Sequence, residues 1–162
     1  MDAYFLTMTS MQEAVKAREY AKAAKFARKN VGEVPDFVRA NMREYRSWDI
    51  RSIPAFATGG TMLALTGDGA GIEEMRRVIE SVPQLAEWTD APDDHLRDMQ
   101  MIADIEAAVG ANPGCKHPNV KKLIGADDGR RVATLISNTP PLWRAEPVRS
   151  AMASLDTASK GC

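Results

Sequence analysis

Residues 112–137 decide the fold that the sequence predicts for the C-terminal third of the chain. They read Asn-Pro-Gly-Cys-Lys-His-Pro-Asn-Val-Lys-Lys-Leu-Ile-Gly at 112–125 and Ala-Asp-Asp-Gly-Arg-Arg-Val-Ala-Thr-Leu-Ile-Ser at 126–137. Apolar residues recur three to four positions apart on both sides of Gly125, which is the period of a helix. Glycine at Gly125 suits a turn, because it readily takes a positive φ. The pattern predicts a short helix at residues 118–124, a turn, and a further helix at residues 129–138.

The predicted helix at residues 129–138 has two chemically distinct faces. Val132, Leu135 and Ile136 cluster on one side of a helical wheel. The opposite side carries the polar and basic residues Arg130, Arg131, Thr134, Ser137 and Asn138. A helix of this kind can rest on a core with one face and contact base edges and phosphates with the other. Residues 101–109 predict another helix just before this pair.

The motifs Asn-Pro-Gly, Val-x-x-Leu-Ile-Gly and Arg-Val-x-x-Leu-Ile resemble the winged helix-turn-helix family of bacterial DNA-binding proteins. The resemblance covers residues 98–155, with 142–146 and 150–155 at the place of the family's wing. It implies base reading by one set of side chains and phosphate contact by another. The base-reading set is Arg130, Arg131, Thr134 and Asn138, and the phosphate set is Lys121, Lys122, Arg144 and Arg149. It also implies a homodimer, because such proteins bind two-fold sites.

Composition alone indicates an ordinary globular chain. The 162 residues are 44% hydrophobic and 27% charged, with a formal net charge of −1. Charge is unevenly distributed: residues 12–30 and 110–150 are rich in lysine and arginine, whereas residues 68–106 are rich in acids. This distribution predicts a polarised surface despite the small net charge.

Cysteine content and hydropathy bear on location. Cys115 and Cys162 do not make a disulfide framework, which favours a reducing, cytoplasmic environment. The N-terminal residues lack the pattern of a signal peptide, and no apolar stretch reaches the roughly 20 residues that span a bilayer. The sequence therefore predicts a cytoplasmic protein without a membrane partner.

The N-terminal region predicts helices. Residues 11–29 carry an amphipathic pattern with a capping signal at Ser10 and Glu13, and residues 30–32 supply a stop. A second helix is predicted at residues 35–48, starting at Pro35 and forming an antiparallel hairpin with the first. Residues 51–65 fit a strand or a helix. Helices follow from Gly71 to Pro83 and at residues 93–109, with a linker at 87–92.

These elements predict a mainly α-helical protein with two domains. Residues 1–92 form a helical, hairpin-type domain, residues 93–156 a winged helix-turn-helix-like module, and residues 157–162 a flexible tail. The basic face of the first helix, with Arg18, Lys22, Lys25 and Lys29, is interpreted as a solvated face in preference to a second nucleic-acid contact.

Three other motifs favour structural roles. The spacing of Gly67, Gly69 and Gly71 lacks the context of a nucleotide-binding loop and favours a turn between helices. The set Cys115, His117, His95 and Cys162 is too dispersed for zinc, and the acids near His95 fit a capped helix start rather than a calcium loop. No arrangement predicts catalysis, so the chain is interpreted as a non-enzyme without a metal or cofactor.

The predicted function is sequence-specific binding of double-stranded DNA by a transcriptional regulator. The alternative is a helical protein-protein interaction module, in which the N-terminal helices bind a protein partner and the C-terminal module is structural. Exposure of Trp48, Trp88 or Trp143 would favour the alternative, because aromatic side chains dominate protein interfaces.

Overall fold

The computed structural model describes residues 3–17, 19–41 and 53–111. Helix makes up 90% of this part, and it contains no strand. The helices are α1 (Ala3–Lys16), α2 (Tyr20–Asn41), α3 (Pro54–Thr66), α4 (Gly69–Ser81), a 3-10 helix (Pro83–Trp88) and α5 (Ala91–Gly110). The predicted mainly α-helical class is confirmed for these residues. The predicted winged-helix-like module beyond residue 111 lies outside them.

Helix α2 is the centre of the N-terminal unit, because α1, α3 and α4 all pack against it. The buried side chains come from every helix of this unit. The largest of them are Tyr4, Met11, Val31, Val34, Phe56, Met62, Leu63, Ile72, Met75 and Leu85. Burial of this many apolar side chains is the main force that holds the unit together.

The single helix predicted at residues 11–29 is divided in the structure. Helix α1 ends at Lys16 and α2 begins at Tyr20, with the Glu19 amide donating to Ala14 O at 2.9 Å. The two helices form an antiparallel hairpin, since Tyr4 on α1 contacts both Asn30 and Phe37 on α2. The division lets both apolar stripes face each other, which a straight helix would prevent. The predicted hairpin of residues 11–29 and 35–48 is therefore wrong in its boundaries.

Helix α2 continues through the predicted stop at residues 30–32 and through Pro35. Asn30 is completely buried, and its Nδ2 donates to the Tyr4 carbonyl instead of capping a helix end. Proline inside a helix removes one backbone hydrogen bond, and here burial of Val31, Val34, Phe37 and Val38 offsets that loss. Residues 42–48 of the predicted second helix lie outside the described part of the chain.

The segment at residues 51–65 fits a strand or a helix by sequence, and from Pro54 onward it forms helix α3. Pro54 occupies its first turn, where its missing N–H removes no hydrogen bond. Gly67 ends the helix with a φ of 73°, a conformation that glycine adopts without a steric penalty. Helix α3 continues without interruption through Gly59 and Gly60, which are both buried.

Helices α4 and α5 match strongly periodic segments. Ile72, Met75 and Ile79 recur at helical spacing in the sequence, and all three are buried on α4. The predicted linker at residues 87–92 is partly structured, because the 3-10 helix reaches Trp88 and α5 starts at Ala91. Helix α5 also contains the helix predicted at residues 93–109. By its contacts the chain divides into two units, residues 1–96 and 97–162, so the division falls within α5.

Candidate functional site

The predicted DNA surface lies outside the described residues. This holds for both sets of side chains: Lys121, Lys122, Arg130, Arg131, Thr134, Asn138, Arg144 and Arg149. Their roles therefore stay predictions. Helix α5 is the described element nearest to them in sequence, and it covers the segment predicted as the first helix of the module.

The basic face of the N-terminal region lies on the exposed side of α2. Lys22 Nζ lies 2.8 Å from Glu19 Oε2, and Lys29 Nζ lies 3.6 Å from Glu33 Oε1. Lys25 is exposed between them, and Arg18 lies outside the described residues. Lys22 thus has the carboxylate of Glu19 beside it, just before α2 begins, and Lys29 has that of Glu33 within α2, which lowers the attraction of this face for phosphate.

Arg28, from the same basic segment, links α2 to α4. Its Nε donates a 2.8 Å hydrogen bond to Glu74 Oε2, and its Nη1 lies 3.9 Å from Asp68 Oδ1. The hydrogen bond to Glu74 and the charge of Asp68 both raise the pKa of Arg28 above its usual value. The half-exposed side chain of Arg28 is therefore already paired with carboxylates of the N-terminal unit.

The glycine-rich segment between α3 and α4 is built as a turn. Asp68 caps α4, since its Oδ1 accepts a 2.9 Å hydrogen bond from the Gly71 amide. Helix starts attract phosphate through such free amides. Here a carboxylate of the chain occupies that amide and would repel an anion. The segment thus connects α3 to α4 as the turn that the sequence predicts, and it also caps α4.

His95 is a buried side chain that links α5 to α3. Its Nε2 lies 2.7 Å from Phe56 O, and because a carbonyl only accepts, Nε2 carries the proton of this hydrogen bond. The ring lies against Gly60, where a β-carbon would overlap it. Within residues 3–17, 19–41 and 53–111, no group of three histidine, cysteine or acidic residues has the placement of a metal site. The hydrogen bond to Phe56 O and the contact with Gly60 pack His95 against α3.

The acids around His95 lie at the start of α5, and Asp93 and Asp94 belong to its first turn. Carboxylates at this end of a helix interact favourably with its dipole. Asp93 also accepts a 2.7 Å hydrogen bond from Arg76 Nη2, while Arg76 Nε donates to Glu73 at 3.2 Å. These two hydrogen bonds raise the pKa of Arg76. The acidic segment thus fastens α5 to α4.

A buried polar contact lies between α1 and α2. Asn30 Nδ2 donates to Tyr4 O at 2.9 Å, and Thr7 Oγ1 donates to Glu33 Oε1 at 3.1 Å. Tyr4 Oη accepts from the Ala55 amide at the start of α3, at 3.2 Å. Within the described part of the chain, Asn30 Oδ1 and Glu33 Oε2 are buried without a hydrogen-bond partner. Such polar contacts fix how two helices align, because any other register would leave more groups unpaired.

Trp88, whose exposure would have favoured a protein-binding function, is half-buried. Its ring packs edge-on against Phe56, with ring centroids 5.5 Å apart. Trp48 and Trp143 lie outside the described residues. Leu6 on α1, at 50% exposure, is the large hydrophobic residue that the described surface exposes most. One exposed leucine is common on globular proteins and marks no interface by itself.

Three comparisons extend these observations. No family model, no curated protein and no solved structure matches the chain. The winged-helix resemblance therefore rests on the residues of the C-terminal third alone. In addition, no described helix has the length and apolar character needed to cross a membrane.

Proposed function

We propose that this chain is a transcriptional regulator that binds double-stranded DNA through its C-terminal third. The observation that carries the proposal is the pair of predicted helices at residues 118–124 and 129–138, with their apolar and basic faces. Support comes from α5, which forms a helix at the place where the winged-helix resemblance requires the first helix of the module.

In this proposal, four side chains of the helix at residues 129–138 read base edges. Arginine can donate two hydrogen bonds to guanine, and asparagine can pair in the same way with adenine. The base-reading residues are Arg130, Arg131, Thr134 and Asn138. Phosphate contact falls to Lys121, Lys122, Arg144 and Arg149, which position the protein without selecting a sequence.

The charges of the N-terminal unit support a division of labour. Arg28 is hydrogen-bonded to Glu74, and Lys22 is paired with Glu19. Side chains already paired with carboxylates release fewer counterions on meeting DNA, so they add less to binding. The N-terminal unit then serves as a helical scaffold, and the DNA contact lies in the C-terminal segment.

Fluorescence anisotropy of the full chain on mixed-sequence duplexes across a salt series tests this function. We expect binding that weakens steeply as salt rises, with a log–log slope of roughly −0.9 for each phosphate contacted. Binding that ignores salt, or no binding at low salt, would exclude DNA as the ligand.

Three charge-matched variants test the assigned roles. Lys122→Ala removes a proposed phosphate contact, so affinity should fall equally on all sequences and the salt slope should shrink by about 1. Arg131→Ala removes a proposed base contact, so the ratio of affinities for preferred and other duplex sequences should fall toward one. Lys25→Ala, at an exposed position of α2, removes the same charge and should leave both quantities unchanged.

The alternative, a helical module that binds a protein partner, is an outcome of the same test. If the chain ignores DNA and instead captures one defined protein, without nuclease-sensitive material, the alternative replaces the proposal. Trp88, one of three tryptophans whose exposure would favour that function, is half-buried against Phe56.

A further inference from the structure

The connection between α1 and α2 has an unusual composition for a helical turn. Residues 17–19 are Ala-Arg-Glu, three residues with good helix propensity and no glycine, proline or asparagine among them. The Ala17 amide still donates to Glu13 O at 2.9 Å, and the Ala23 amide already donates to Glu19 O at 2.9 Å. Helical hydrogen bonding thus extends to both sides of the connection, and nothing in its composition demands a turn.

The surrounding sequence is compatible with one uninterrupted helix. Residues 11–29 carry a single amphipathic pattern, which by itself predicts a helix that passes through residues 17–19. Tertiary packing therefore holds the hairpin closed. If residues 17–19 became helical, α1 and α2 would join end to end and α1 would leave the surface of α2.

Leaving α2 exposes a face of α1 that needs a specific cover. Tyr4, Met11, Ala14 and Val15 are all nearly or completely buried. The same face contributes the Tyr4 carbonyl that accepts from Asn30 and the Thr7 hydroxyl that donates to Glu33. If α1 leaves α2, its apolar side chains must be covered by another surface, because their exposure to water costs free energy. Its polar groups also need new hydrogen-bond partners wherever they are buried again.

A second copy of the chain supplies this cover completely. We propose that two copies exchange α1, so that α1 of each packs on α2 of the other and residues 17–19 become helical. Every contact of the closed hairpin is then remade between chains, including the hydrogen bond from the Ala55 amide to Tyr4 Oη. Exchange of an identical element is a low-cost route to a dimer, since it requires no new interface.

The closed monomer and the exchanged dimer share the contacts between α1 and α2. The ratio of monomer to dimer therefore depends on the conformation that residues 17–19 prefer and on the protein concentration. The dimer replaces the turn with a continuous helix, in which the amides of Ala17 and Glu19 keep backbone partners as they do in the closed form, whereas association costs translational and rotational freedom. A longer, glycine-rich connection should therefore favour the closed monomer. The inference does not depend on DNA binding, and its test uses no DNA.

Cross-linking between differently tagged chains tests the exchange. All variants carry Cys115→Ser and Cys162→Ser. One chain carries Thr7→Cys and the other Glu33→Cys, positions whose native side chains lie 3.1 Å apart. The chains are mixed at high concentration, warmed to just below the unfolding midpoint, cooled and treated with a short thiol–thiol cross-linker. A covalent heterodimer is expected.

Two controls give the result its meaning. Thr9→Cys, exposed on α1, mixed with Glu33→Cys should yield little product. Insertion of Gly-Ser-Gly after Ala17 should lower the heterodimer yield by about tenfold or more, because two glycines inside a helix disfavour the continuous form. Sedimentation of the unmodified chain should show a matching dimer that the insertion abolishes.

Cross-linking within one chain distinguishes the closed hairpin from the exchanged dimer. A single chain with both Thr7→Cys and Glu33→Cys reports the closed hairpin by cross-linking within itself. If that chain cross-links internally while the mixed sample gives no more product than the Thr9 control, exchange of α1 does not occur. Equal yields with and without the insertion would likewise overturn the proposal.

Discussion

The imidazole of His95 occupies the space that a side chain on Gly60 would need. This contact joins the start of α5 to the middle of α3, and the hydrogen bond from His95 Nε2 to Phe56 O fixes the ring there. Gly60 is thus required for packing, although its φ lies outside the left-handed region. A histidine ring on a helix backbone needs a residue without a β-carbon beneath it.

Gly60→Ala should destabilise the chain by about 1–3 kcal/mol, because the new β-carbon must displace His95. Gly59→Ala is the matched control on the same buried helix. Its β-carbon would meet Pro54 O at 3.7 Å and Ala27 Cβ at 3.9 Å, which are ordinary contacts. Urea unfolding monitored by circular dichroism measures both. Equal effects at the two positions would show that His95 does not limit the space at Gly60.

The contact between Gly60 and His95 could not be predicted from the sequence. Gly59 and Gly60 alone indicate an interruption, which is why residues 51–65 fit a strand or a helix. The requirement for glycine comes from His95, more than thirty positions later, and one sequence does not pair such residues. By contrast, a helix that ends before Pro83 was predictable, because Ile72, Met75 and Ile79 repeat at helical spacing. Its start at Gly69 lies two residues before the predicted start at Gly71.

The hairpin of α1 and α2 shows the same limit. Local signals favoured a helix through residues 17–19 and a stop at Asn30, yet the structure reverses both. The reason is tertiary: the apolar faces of α1 and α2 cover each other, and Asn30 bonds to Tyr4 O, 26 residues away. Local propensity is a weak preference that such packing overrides. None of the predicted DNA-contact residues lies in the described part of the chain.

Two exposed glycines should respond to alanine in opposite directions. Gly32 lies within α2, and its new β-carbon would meet only Glu74 Oε1 at 3.7 Å. Gly32→Ala should stabilise the chain by about 0.5–1 kcal/mol, because alanine loses less backbone entropy in a helix. Gly67→Ala should destabilise it by roughly 1–2 kcal/mol, since alanine is disfavoured at a φ of 73°. Thermal unfolding of both variants checks the sign, and a stabilising Gly67→Ala would contradict the turn geometry.

Arg76 connects α4 to α5 through an ion pair at the surface. Its Nη2 lies 2.7 Å from Asp93 Oδ1, and the Asp93 side chain is 68% exposed. Exposed pairs of this kind contribute less than about 1 kcal/mol, so Arg76→Ala should change stability only slightly. A double-mutant cycle with Asp93→Ala isolates the pair. The coupling energy should fall further at 1 M salt, and a larger coupling that persists at high salt would contradict this assignment.

Asn30 should be the most sensitive asparagine of α2. Asn30→Ala removes the hydrogen bond to Tyr4 O from a completely buried contact, and we expect a loss of about 1–3 kcal/mol. Asn41→Ala is the control, because Asn41 Nδ2 donates to Phe37 O of its own helix at a part-buried position.

Water can replace the Asn41 hydrogen bond more readily than the Asn30 bond, so Asn41→Ala should cost less than about 0.5 kcal/mol. Urea unfolding of both variants gives the difference, and amide hydrogen exchange in α1 locates it. Loss of protection confined to α1 in Asn30→Ala would show that this side chain fastens α1 to α2. Unchanged protection in α1 would mean that apolar packing alone holds the hairpin closed.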